Sequence, residues 1–363
     1  MVENTSIKEM ISENLFQEIE RTTLCSVLQK TERMREKCFL ITGANGFIAY
    51  YLVLTILNAN DKFQNNNHLI LLARSQEKAL KRFGQILDRE DVTLLLQDVC
   101  TPLPQLEQVD YVIHAASAAD AQHFNADPIG VFNSNVIGTE NILQFVNKNK
   151  CESAVYVSSF TVYGRGTDKE KLIEESFCGA DPWNYDGACY SYGKRSAEFL
   201  CMTFARKYGT PIKIVRPGFV YGASHKDDNR VYAEIIRCAA KKYDITLQSA
   251  GLLYRSMVYV TDVVTAILAV LLEGRNGEAY NIANEHTSIR QFAEVAVKVA
   301  ACEQVKLKFI NEADAKVNIP EDVFGAMSIQ KIREECKWSP NVSLHDGIAS
   351  AVAIFSELLS PVC

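Results

Sequence analysis

Tyr190 and Lys194 lie four residues apart in the stretch Cys189-Tyr-Ser-Tyr-Gly-Lys-Arg-Ser-Ala-Glu198, which opens a long helical pattern. At that spacing two side chains share one helix face, one turn apart. A free tyrosine titrates near ~10, so a base that works near neutrality needs a drop of about 3 units, roughly 4 kcal/mol. One ammonium at about 4 Å supplies on the order of 4 kcal/mol at an effective dielectric of ~20. Tyr190 could then take the proton of an alcohol. Ser159, in Ser158-Ser159-Phe160-Thr161-Val162-Tyr163-Gly164, could hydrogen-bond the same hydroxyl. A Tyr-x-x-x-Lys by itself also fits plain surface decoration, so its weight depends on the elements around it.

Those elements start with Cys38 to Leu57. Cys38 to Ile41 is a short apolar run that suits a strand buried on both faces. Gly43 and Gly46 follow, then about eleven mostly apolar residues that fit a buried helix. Strand, glycine turn and helix form the architecture of a dinucleotide site, where helix N–H groups meet a pyrophosphate. The spacing is Gly43-x-x-Gly46-x-x-Ala49, with a small residue in the third position. A tight turn without ligand is the alternative at this point. Asn58 to His68 reads as a polar loop. Leu69 to Ala73 is a second strand, followed by Arg74, which suits a 2′-phosphate and therefore NADP, where an acid would suit NAD. Val92 to Gln97, with Asp98 after it, is a third strand. Tyr111 to His114 is a fourth, opening on Ala115, Ala116, Ser117 and Ala118, small enough for a backbone to lie against a cofactor. Asn133 to Val146 is an amphipathic helix, and Ala154 to Ser158 a fifth strand that delivers Ser159. Alternation of strand and helix from 38 to 216 predicts a doubly wound parallel sheet with its site at the carboxyl ends of the strands.

The landmarks Thr42-Gly43-Ala44-Asn45-Gly46-Phe47-Ile48, His114-Ala115-Ala116, Asn135-x-x-Gly138-Thr139, Ser158-Ser159, Val162-Tyr163-Gly164 and Tyr190-x-x-x-Lys194 come in one order. Arg216-Pro217, Val220-Tyr221-Gly222, Arg255 before Tyr259-Val260-Thr261-Asp262, Tyr280-Asn281-Ile282 and Trp338-Ser339-Pro340 continue it. In this the chain resembles the extended short-chain dehydrogenases/reductases of the nucleotide-sugar epimerase/dehydratase type. Cys-Tyr-x-x-Gly-Lys-Arg at 189–195 is especially similar to UDP-glucuronate decarboxylases. The resemblance implies a Rossmann domain over 37–216, behind a helical extension at 1–36. A smaller mixed α/β lobe over 217–363 would hold the nucleotide-sugar, with some of its elements returning to the Rossmann sheet. It implies Ser159, Tyr190 and Lys194 as catalytic residues. Cofactor contacts would come from Gly43, Asn45, Gly46, Phe47, Ile48, Arg74, Asp98, Val99, Ala115, Ala116, Ser117, Asn135, Tyr190, Lys194 and Pro217. Substrate contacts would come from Thr161, Arg230 and Arg255, although Arg230 alone also fits a solvated surface charge. A tightly held NAD or NADP and a homodimer through the helices beginning near 135 and 190 are further expectations.

One departure selects among reactions. Where the dehydratases carry an Asp-Glu pair this chain has Phe160 and Thr161, and where the decarboxylases carry Glu it has Thr161. The 4-epimerases manage with Ser, Tyr and Lys, so 4-epimerisation through a transient 4-keto-sugar is the expected reaction. Decarboxylation of a nucleotide-glucuronate and NADPH-dependent reduction of a keto-sugar are the alternatives. A redox-sensing protein that binds the cofactor without chemistry would need none of the three residues.

The 363 residues, 48% of them apolar, suffice for a large core. A net charge of −6 speaks against a nucleic-acid surface. Eleven cysteines without a Cys-x-x-Cys, and no signal peptide, fit a reduced cytoplasmic protein. The six histidines show no ligand spacing, so no metal is expected. The longest apolar run is too short for a bilayer, so no membrane partner is expected either.

Overall fold

The structure is a computed structural model, and it describes residues 5–29, 32–119, 121–164, 172–185, 187–310 and 325–359. Two helices lead, α1 (Ile7–Met10) and α2 (Glu13–Cys25). The nucleotide lobe follows as β1 (Cys38–Thr42), α3 (Phe47–Phe63), β2 (His68–Ala73), α4 (Gln76–Phe83), β3 (Val92–Leu96), β4 (Tyr111–His114), α5 (Ala121–Ala126), α6 (Pro128–Asn149), β5 (Ser153–Val157), α7 (Ala188–Tyr208) and β6 (Ile212–Pro217). The rest comprises β7 (Phe219–Tyr221), α8 (Val231–Ala240), β8 (Ile245–Leu247), β9 (Tyr254–Tyr259), α9 (Val260–Glu273), β10 (Ala279–Ile282), β11 (His286–Ser288), α10 (Ile289–Val299), β12 (Leu307–Phe309), α11 (Gln330–Cys336) and α12 (Leu344–Leu359).

Seven strands form one sheet in the order β10-β6-β5-β4-β1-β2-β3. Every pairing in it is parallel. Parallel strands covered by helices on both faces need apolar side chains in both directions. The runs 39–42, 69–73, 111–114 and 153–157 meet that need, and all are buried. The outermost strand beside β6 is β10, which arrives more than sixty residues later, after α8 and α9. The smaller lobe carries a three-stranded sheet, β11-β9-β7, and a two-stranded one, β12-β8.

Two features differ from the sequence expectation. The polar stretch after residue 57 is not a loop from its start: α3 continues to Phe63 and stops where Gln64 turns left-handed, φ 53°. Its polar residues have distant partners. Asn58 is buried and donates to Thr23 Oγ1 at 3.0 Å, and Asp61 accepts from Arg89 at 2.8 Å. The helix expected from Asn133 begins at Pro128, with Asp127 accepting from the Gly130 N–H as its cap and Pro128 in the first turn, where a missing N–H costs nothing.

The leading helices are part of the core. Ile7 and Ile19 are fully buried, and α2 packs on α3, α9 and α12. Glu18 is buried with them, held by Arg21 and by the Ser350 hydroxyl from α12. Among the described residues no helix is long and apolar enough to cross a membrane.

Candidate active site

The carboxyl ends of β1, β4 and β5 bring the expected groups to one edge. Gly43 turns there with φ +65°, and a Cβ on it would lie 2.7 Å from Ala116 Cα and 2.8 Å from Ala115 O. The turn after β1 and the turn after β4 therefore touch, backbone to backbone, which only glycine permits. Ala116 N–H donates to Thr42 Oγ1 at 3.3 Å and closes the contact. Gly46 caps α3, whose first turn is Phe47, Ile48 and Ala49. Gly138 on α6 admits Val99, whose Cγ1 would lie 2.7 Å from an added Cβ. Asn141 of the same helix donates to Val99 O at 3.0 Å. Beneath the turns, buried His114 bridges Thr42 (2.7 Å) and Thr139 (3.1 Å). Burial holds its pKa down, to about 3, so it stays neutral.

These residues fit a dinucleotide. The N-terminus of α3 is open where Gly46 leaves room for a backbone to approach. Asn45 Oδ1, Ser158 Oγ and Thr161 Oγ1, at the ends of β1 and β5, are buried without a protein partner. A buried polar atom left so costs about 1–3 kcal/mol, a cost a ligand would relieve. Arg74 and Asp98 stand at the ends of β2 and β3, with Arg74 Nη1 3.7 Å from Asp98 Oδ2. Both are largely exposed, so the pair contributes little to stability. Its effect is to offset part of the Arg74 charge. Ser117 turns its hydroxyl to the Ala118 carbonyl at 3.3 Å. Pro217 ends β6 in register with Ile282 of β10.

The three residues expected to be catalytic are brought together. Ser159 has extended backbone and caps the short 3-10 turn Phe160–Tyr163, accepting the Thr161 N–H at 3.2 Å. Its hydroxyl hydrogen-bonds Tyr190, which eases that phenol toward ionisation. Tyr190, in the first turn of α7, is half-buried, with its ring stacked on Phe124 of α5 (5.1 Å, 28°). Lys194 is buried and donates to the Val157 carbonyl at 2.7 Å. Its Nζ lies 5.7 Å from the Tyr190 ring centroid.

The electrostatic expectation is revised by this geometry. Burial raises the Tyr190 pKa, and the Ser159 bond and the positive field of Arg230 offset it only in part. Burial also pulls Lys194 down, to about 7. The protein alone therefore keeps Tyr190 protonated, because desolvation outweighs the pull of Ser159 and Arg230.

The smaller lobe closes on the same edge. Arg230 caps the start of α8, pairs with Asp228 at 2.6 Å and lies 5.5 Å from the Phe47 ring. Its side chain is about a third exposed, and its positive field reaches Tyr190. Arg255, on β9, lies with its guanidinium 5.1 Å from the ring centroid of Phe219. Phe219 in turn packs on Phe160 at 4.3 Å. Arg255, Phe160, Phe219, Tyr163, Ile173, Ser256 and Met327 line one small cavity, and Thr161 follows Phe160 directly. Phe124 and Tyr156 escape a reading of the sequence. An aromatic in an apolar strand looks like core, and α5 is too short to show a period. For α5 the usable signal was Asp127-Pro128, which marks a helix start just after it.

The comparisons agree with this architecture. The model of the NAD dependent epimerase/dehydratase family matches residues 39–283. The chain thus belongs to that family, within the extended short-chain dehydrogenases/reductases. Among curated relatives, UDP-glucuronic acid decarboxylase 3 of Arabidopsis thaliana is 30% identical over 319 residues, 85% of this chain and 86% of the relative. The human dTDP-D-glucose 4,6-dehydratase is 27% identical over 331 residues, 88% of this chain and 90% of the relative. Among solved structures, UDP-glucuronic acid 4-epimerase of Bacillus cereus, crystallised with UDP-glucuronic acid and NAD, superposes with a TM-score of 0.71 at 20% identity. That alignment covers 88% of this chain and 99% of that one.

Proposed function

We propose that this protein is a nucleotide-sugar 4-epimerase acting through a transient 4-keto-sugar, with NAD retained between turnovers. The observation that carries the reading is the pairing of an assembled Ser159–Tyr190–Lys194 trio with the absence of a carboxylate at 160 and 161. Dehydration needs a side-chain acid and base beyond the tyrosine. Phe160 packs on Phe219 and Thr161 offers only a hydroxyl.

The dinucleotide would be held by the Gly43–Ile48 turn, by Asp98 and Val99, by Ala115–Ser117, and by Asn135, Lys194 and Pro217. When bound it supplies the hydride acceptor and donor. With the positive charge of the bound cofactor added to the field of Arg230, Tyr190 Oη would be ionised, take the proton of the sugar 4-hydroxyl and later return it. Ser159 donates a hydrogen bond to the same oxygen, so charge developing there is met by a fixed donor. Lys194 places a cation beside that oxygen. Arg230 and Arg255 suit the diphosphate, where a guanidinium fork matches paired oxygens. Thr161 Oγ1, unpartnered, would meet a sugar hydroxyl. Arg74 favours a 2′-phosphate, though its contact with Asp98 weakens that preference for NADP.

Decarboxylation of a nucleotide-glucuronate is the second reading, favoured by the Cys-Tyr-x-x-Gly-Lys-Arg stretch and by the 30% identical relative. A 4-keto-glucuronate is prone to lose carbon dioxide, so the two activities can coexist. UDP-, CDP-, dTDP- and GDP-sugars, glucuronates included, are to be incubated with the protein and the products identified by NMR. Epimers should form with no net change in nicotinamide absorbance. Steady NADPH consumption would establish a reductase instead, and pentose products a decarboxylase.

The exposed apolar residues Ile129, Phe132 and Ile137 on α6 and Phe199 on α7 support the homodimer, since these two helices pack against each other. Phe199→Glu should convert a dimer into a monomer in sedimentation. A monomeric wild-type protein at micromolar concentration would remove this proposal.

A further inference from the structure

Lys194 is a buried cation whose helix neighbour Glu198 is already engaged, since both Glu198 oxygens bond Arg216 of β6 at 2.6–3.2 Å. Beyond the field of Glu198, two direct contacts support the ammonium. One is the Val157 carbonyl at 2.7 Å. The other is the ring of Tyr156, whose centroid lies 4.7 Å from Nζ, a full ångström nearer than that of Tyr190. Tyr156 is 1% exposed. Its hydroxyl donates to Asn135 Oδ1 at 3.3 Å, and Asn135 Nδ2 is fixed on the Val131 carbonyl at 2.8 Å. A cation over an aromatic face is attracted by the ring quadrupole, most strongly where water is excluded.

We infer that Tyr156 is a positioning residue: its ring face holds the Lys194 ammonium beside Tyr190, and its hydroxyl, tied to Asn135, holds the ring in place. This rests on the reading of Tyr190 and Lys194 as the proton-handling pair. The groups around Lys194 leave few competitors for a titration near neutrality. On its own helix it faces Tyr190, Glu198 and Cys201, from β5 Tyr156, from β4 His114, from α6 Asn135, and from β6 Arg216 through Glu198. His114 is held neutral, the Cys201 thiol is pushed far up, and Tyr156 itself stays protonated.

The test uses Tyr156→Leu, Tyr156→Phe, and a series in which residue 156 is a progressively ring-fluorinated phenylalanine. Fluorination weakens the quadrupole and nearly keeps the shape, so it decides the matter even should the leucine variant fail to fold. The first readout is the Lys194 titration in the cofactor-free protein, followed by NMR of labelled lysine side chains. Its midpoint should fall by about one pH unit with leucine and stepwise with fluorine, and by clearly less with phenylalanine, which keeps the ring and loses only its tie to Asn135. The second is the pH profile of kcat/KM on the best substrate. Its acid limb should move to higher pH by a similar amount, because a less charged lysine helps the phenolate less. A midpoint indifferent to fluorine, or one displaced as far by phenylalanine as by leucine, would overturn the inference. Tyr190→Phe in the same assay separates the two levels. Turnover surviving there removes the parent reading, while the lysine titration still reports the ring contact.

Discussion

Tyr190→Phe is expected to lower kcat about a thousandfold, the usual scale for losing a positioned acid/base group, while the dinucleotide remains bound. Only Oη is removed. The ring keeps its stacking on Phe124 and its place above Lys194, so the cleft keeps its shape. Ser159 loses one partner but still caps the turn at Thr161. The fall should therefore appear in kcat and scarcely in KM, the pattern of a contact made at the transition state. Rates within tenfold of wild type, measured on the best substrate of the sugar panel, would take Tyr190 out of the mechanism.

Glu198→Ala is expected to destabilise the fold by about 3–5 kcal/mol, through an uncompensated buried charge. Arg216 is 9% exposed and Glu198 3%, and the carboxylate takes both Nε and Nη2 of the guanidinium. Arg216 also donates to Tyr163 Oη and the Glu175 carbonyl, at 3.0 and 2.8 Å, and those bonds cannot neutralise it. The loss should reach Lys194, since Glu198 is the first influence raising that lysine against burial. Glu198→Gln keeps the shape and one acceptor and should cost less. Urea unfolding of the three proteins provides the comparison. An alanine variant within about 1 kcal/mol of wild type would show that the pair is not what holds β6 to α7.

The sheet and the trio were readable for the same reason: each is specified locally. Four apolar runs buried on both faces declare β1, β2, β4 and β5, and the four-residue spacing of Tyr190 and Lys194 declares a shared helix face. What escaped depends on partners remote in sequence. Asn58 continues a helix only because Thr23 lies against it, and Arg230 is half-covered only because Phe47 lies beneath it. Tyr156 spells out core in any strand, and only the fold puts an ammonium over its face. The rise of the Tyr190 pKa was missed because proximity can be read from spacing, whereas the loss of water around a group cannot.

The outermost strand of the large sheet is β10, and it adds Ala279–Ile282 to β6 from far along the chain. During synthesis the lobe that begins at Cys38 can fill its sheet only once residue 282 has cleared the ribosome. Until then β6 presents a free row of amides and carbonyls, the template on which nascent chains associate. Expression of a fragment ending near residue 216 would make that interim state permanent.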